Sequence, residues 1–134
     1  MSTLGRMNRV ALLAIAIGLV LVLAGCGGQK TYTLQATKSC LSQRGARIGG
    51  NLDFVAQTAT GGAFVSTLGD NWVTVAFGQT VNGGIQIQEA YERFAFKNVR
   101  AGLSDVLKRY NNAVTLWHKH PQDSDLALVV GCLR

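Results

Sequence analysis

The chain has 134 residues and a formal net charge of +6, room for one domain with a real core but not for two. Its thirteen basic residues are scattered, with Arg100, Lys108 and Arg109 the nearest approach to a cluster. That spacing lacks the basic stripe with interleaved aromatics of a nucleic-acid binder, and a nucleic-acid partner is not expected.

Arg6 and Arg9 precede an unbroken apolar run from Val10 to Ala24. A positive segment followed by 15 uncharged apolar residues has the form of a secretory leader, and it falls short of the roughly 20 residues that a membrane-spanning helix needs. The run closes on Leu23-Ala24-Gly25-Cys26, an aliphatic residue, two small residues and a cysteine. This resembles the lipobox of bacterial lipoproteins at all four positions. The resemblance covers residues 1–26 and implies that residues 1–25 are cut away, that the Cys26 thiol receives a diacylglyceryl group, and that the new amine is open to acylation, as by palmitate. Two or more acyl chains anchor stably where one binds only marginally. The implied location is extracytoplasmic, on the cell membrane or the outer membrane; Gly27 stands where an Asp would suggest inner-membrane retention. Loss of Arg6 and Arg9 lowers the formal charge from +6 to +4, a modest excess that suits a solvated surface or weak attraction to an anionic envelope polymer.

Residues 26–30 read as a short lipidated tether and residues 31–134 as a single α+β domain. Tyr32-Thr33-Leu34 is expected as a short first strand. Gln35 to Arg44 is expected as a helix carrying Cys40 and Leu41 inward and stopped by Gly45, where a left-handed residue is wanted. Gly49-Gly50-Asn51 breaks the chain, and Asp53 to Thr60 fits helix or strand. Ala63 to Leu68 and Trp72 to Phe77 flank the turn-forming Gly69-Asp70-Asn71 and predict a hairpin. Alternation groups Val73, Val75 and Phe77 on the core face, with Trp72 opposite.

Gly78 to Gly84 is expected as a loop. A helix from about Ile85 to Lys97 follows, with Ile87, Ala90, Tyr91, Phe94 and Ala95 on one stripe. Ile85 and Phe96 fall on its polar side, so either local chain covers them or an apolar patch is open to a partner. Ser104 suits the cap of a short helix, Asn111-Asn112 a turn, and Ala113 to Trp117 a strand. A last helix spans about Ser124 to Cys132, with Leu126, Val129, Val130 and Leu133 inward. The expected architecture is a small antiparallel sheet with helices packed on one face; without the last helix the order matches βαββαβ, the ferredoxin-like arrangement.

Cys40 and Cys132, an even pair in an oxidising compartment, read as a disulfide, the alternative being two separately buried thiols. No motif for a nucleophile, a phosphate or a dinucleotide is present, so no cofactor and no catalytic residue is implied. His118 and His120, two apart on extended chain, with Asp123 or Asp125 as an oxygen donor, are the weak candidates for a zinc or copper site, against a solvated loop near Lys119. The expected function is that of a membrane-anchored, non-catalytic interaction domain of the envelope, meeting a protein or an anionic polymer; a metal carrier or sensor is the alternative.

Overall fold

The structure is a computed structural model that describes residues 29–95 and 97–134. The leader, Cys26 and Phe96 lie outside the described residues. Helix α1 (Leu34–Gln43) begins where Thr33 Oγ1 accepts the Ala36 N–H and buries Thr37, Cys40 and Leu41. Thr33 is thus a helix cap, and the first strand expected at Tyr32-Thr33-Leu34 does not form: a Thr side chain that satisfies an orphan amide favours the helix start over a ladder. Gly45, at φ 88°, turns the chain into β1 (Arg47–Ile48). Asp53 caps α2 (Phe54–Gln57).

Strands β2 (Ala63–Leu68) and β3 (Asn71–Phe77) form the expected hairpin, with Gly69 at φ 61° in the turn. Helix α3 (Val81–Phe94) starts four residues earlier than expected, because Thr80 Oγ1 accepts the Gly83 N–H and caps it. Its glycines let the helix start lie against backbone: a Cβ on Gly84 would sit 2.6 Å from the Asn111 carbonyl oxygen. Two one-turn helices, α4 (Lys97–Arg100) and α5 (Leu103–Val106), lead into β4 (Leu107–Tyr110), which pairs with β5 (Ala113–Trp117); α6 (Asp123–Cys132) follows.

The five strands form one antiparallel sheet in the order β1-β2-β3-β5-β4. The α+β class and the antiparallel sheet stand as expected. Two finer expectations do not. The strand order is that of two hairpins joined through β3 and β5, not the ferredoxin-like one. Helices also cover both faces. Phe64, Val73, Val75, Phe77 and Trp117 pack with Cys40 and Leu41 of α1 and Val129 and Cys132 of α6; Ala76, Val114 and Leu107 pack on the opposite face with Ile87, Tyr91, Val55 and Leu103. The cause is in the strands: β3 and β5 are apolar in both phases, and such a run needs cover on both sides.

Cys40 and Cys132 are joined as a disulfide with their Cα atoms 5.4 Å apart, tying α1 to α6. Asn112, 1% exposed, fixes the segment that precedes α1. Its Oδ1 accepts the Tyr32 N–H at 2.7 Å, and its Nδ2 donates to the Tyr32 and Gly78 carbonyls at 2.8 Å each. The chain therefore enters the domain at the β4–β5 turn, beside the Phe77 end of β3. Among the described residues no helix is long and apolar enough to cross a membrane.

Candidate functional site

Of the five large hydrophobic side chains exposed among the described residues, four are gathered together; the fifth, Val130, expected inward on the last helix, is exposed apart from them on α6. Phe54 is 69% exposed, Phe94 59%, Val99 46% and Trp72 41%, and all four line one cleft of about 540 Å³. Four elements bring them there: the first residue of α2, the last of α3, α4, and the start of β3. Leu103, Leu116 and Val55 also line it. Phe54 and Phe94 meet edge to face, ring centres 6.1 Å apart at 85°, an arrangement aromatic rings favour beyond simple burial. Trp72 lies parallel to His118, ring centres 3.5 Å apart.

Asp53 and Tyr91 supply polar atoms to the wall. Asp53 Oδ1 accepts the Ala56 N–H at 2.9 Å and caps α2, while Oδ2 accepts the Tyr91 hydroxyl at 2.8 Å. Burial, followed by the charge of Asp53 and this hydrogen bond, pushes the Tyr91 hydroxyl well above its ordinary range. Tyr91 therefore stays protonated and pins α3 to α2, setting the spacing of Phe94 and Phe54. The carboxylate of Asp53 is committed to position rather than aimed at a ligand.

Leu103 also borders a second depression, of about 520 Å³, lined by residues of α3, α4, α5 and β4. Its rim carries Arg100, Lys108 and Arg109, the residues that formed the nearest approach to a basic cluster in sequence, with Glu92 among them. The fold brings these together although β4 itself was not foreseen: Lys108 and Arg109 are consecutive strand residues, and Arg100 ends α4.

The metal candidates are not brought to one point by their contacts. His118 stacks on Trp72, His120 Nδ1 meets Asp105 Oδ1 at 2.7 Å, and Asp123 opens α6, in the first turn that also carries Asp125. Among the described residues no group of three or more His, Cys, Asp or Glu side chains is placed to hold a metal ion. Cys40 and Cys132 are consumed by their disulfide, and Cys26 lies outside the described residues.

Sequence reasoning set Trp72 opposite the favoured core face yet weighed it as core rather than ligand platform, and it is exposed. It missed Phe94, which helical periodicity assigned to the buried stripe. Phe94 is the last residue of α3 and meets the Phe54 ring, so the helix ends before the sheet can cover it. Ile85 is half-buried. Comparison with family models, with curated proteins and with solved structures finds no match to this chain.

Proposed function

We propose that this chain is a lipid-anchored extracytoplasmic lipoprotein whose domain docks a partner protein through the aromatic cleft. The observation that carries the docking reading is the convergence of Phe54, Trp72, Phe94 and Val99, all more than 40% exposed, on one cleft. Large apolar side chains gathered at one surface mark binding sites, whereas single exposed ones need no explanation. Aromatic anchors are also the side chains that dominate protein interfaces.

The anchoring reading rests on the Arg6/Arg9 leader and on Leu23-Ala24-Gly25-Cys26. The Cys40–Cys132 bond suits an oxidising compartment, and of three cysteines it leaves Cys26 outside the pair. Geometry connects the two readings. The tether reaches the domain at the Asn111–Asn112 turn, where Asn111 Nδ2 donates to the Lys30 carbonyl. The cleft is built around Trp72, at the opposite end of β3. Five residue steps separate Trp72 from Phe77, roughly 17 Å at the usual rise, so Trp72 is set apart from the point where the tether enters and is left free to meet a partner.

Photocrosslinking in the producing cell tests the docking. A benzophenone side chain at position 54 or 94 should yield one discrete heavier adduct, and the same group at Gln43, exposed on α1, should not. Phe54→Ser with Phe94→Ser should abolish the adduct formed from a benzophenone at position 72 while lowering stability by no more than about 1 kcal/mol, because the removed rings are mostly in water. Equal adducts from all positions, or none from the cleft, would contradict a docking role.

A further inference from the structure

The cleft and the basic depression adjoin: the buried side chain of Leu103 borders both, and Arg100, on the rim of the depression, reaches the carbonyl of Ala95, which lines the cleft. The cations of the second part have neutral acceptors. Arg100 donates to the Ala95 carbonyl at 3.1 Å, Lys108 to the Ser104 carbonyl at 2.9 Å, and Arg109 to Gln88 Oε1 and to the Asn111 carbonyl. The ion pairs among the described residues are elsewhere, at Lys119–Asp70 and His120–Asp105. Glu92 is the carboxylate on this rim, and its Oε1 accepts from Gln88 Nε2 at 3.3 Å. Three cations against one carboxylate leave a local positive excess beside an apolar cleft.

Resting on the docking reading, we infer that the cleft's occupant is an extended acidic segment of a partner polypeptide. Its bulky apolar side chains sit between Phe54, Trp72 and Phe94, and its carboxylates lie over Arg100, Lys108 and Arg109. Complementary charge of this kind sets register and speeds encounter more than it adds affinity, while the aromatic anchors supply the affinity. A small ligand suits the geometry less well. Small-molecule sites enclose most of their ligand, and here Phe54 and Phe94 are themselves more than half exposed. A polypeptide brings its own neighbouring surface to cover those rings.

The test is selection from a phage-displayed library of random dodecapeptides on the full protein held in phosphatidylcholine nanodiscs, whose neutral lipid adds no charge preference. Enriched peptides are expected to combine two or more bulky apolar residues with two or more carboxylates. Against Arg100→Glu with Lys108→Glu, both fully surface positions, the enriched charge should change sign, and a synthetic wild-type-selected peptide should bind at least tenfold more weakly. Arg100→Gln with Lys108→Gln should remove the bias without reversing it. Apolar peptides with no charge preference, lost in Phe54→Ser with Phe94→Ser, would overturn the acidic partner and leave the docking reading standing. Enrichment indifferent to Phe54 and Phe94 would overturn both. A dimer that dissociates in the Phe54→Ser, Phe94→Ser variant would replace the acidic partner by a second copy of this chain.

Discussion

Replacing Cys40 and Cys132 together by Ala should cost about 4 to 5 kcal/mol of folding stability, an upper figure from the loop-closure entropy of a cross-link spanning 92 residues. The bond closes almost the whole described domain, since α1 is its first helix and α6 its last. Without it the unfolded chain regains nearly all the freedom that the cross-link withheld, while the folded state loses only two sulfur atoms. Both cysteines are buried in the same core cluster as Leu41, Val129 and Leu133, so a small cavity adds to the entropic loss. A single domain commonly has only 5–15 kcal/mol in total, so the reduced form should sit close to its unfolding threshold at body temperature. Urea unfolding of oxidised protein, of reduced protein and of the Ala pair checks this: the last two should fall well below the first, with the Ala pair the lower of the two by the cavity its missing sulfurs leave. A shift under about 1 kcal/mol, or two freely alkylated thiols in unreduced protein, would contradict it.

Asn112→Ala should lower stability by about 2 to 3 kcal/mol, the usual cost of leaving buried polar groups without partners. The side chain is one of the few fully buried polar ones, and its amide serves three backbone groups from two distant segments. Removing it orphans the Gly78 carbonyl inside the domain. The Tyr32 groups are partly exposed and recover water in part. Asn112→Asp discriminates this account from one of lost volume. It keeps the acceptor for Tyr32 N–H but turns a carboxylate oxygen toward two carbonyls, so it should be at least as damaging as Ala despite its near-identical shape. Denaturant midpoints of the three proteins decide it; an Asp variant as stable as the parent would contradict the assigned hydrogen bonds.

What could be read from sequence, and what could not, divides along range. The β2–β3 hairpin announces itself because its signal is local: two β-rich runs about Gly69, whose positive φ the turn requires. Helix α1 is equally legible, through Cys40 and Leu41 turned inward and Gly45 after its end. The disulfide follows from parity and compartment. By contrast, β1 has two residues, and among the described residues it pairs with β2 alone. Strand β4, Leu-Lys-Arg-Tyr, carries charge in its middle and reads as loop until β5 pairs with it. Thr80 caps α3 as Thr33 caps α1, and neither cap was read as one; at α3 the glycines at 83 and 84 masked the helix start, Gly84 serving the close approach to Asn111 and Asn112 and Gly83 that to Gly78. The site was the least legible part. Phe54, Trp72, Phe94 and Val99 belong to four elements, and no periodicity links them. Arg100, Lys108 and Arg109 looked like an incidental grouping until β4 placed them beside the same Leu103.

Everything proposed for this domain presumes that it is held at a membrane by Cys26. Intact-mass and N-terminal peptide analysis of the protein isolated from its producing cell tests that most directly. The account predicts a chain beginning at Cys26 whose first residue carries a diacylglyceryl thioether, and in Cys26→Ser an unlipidated precursor that retains residues 1–25. A wild-type chain with an unmodified Cys26 thiol, still recovered with the membrane, would contradict it.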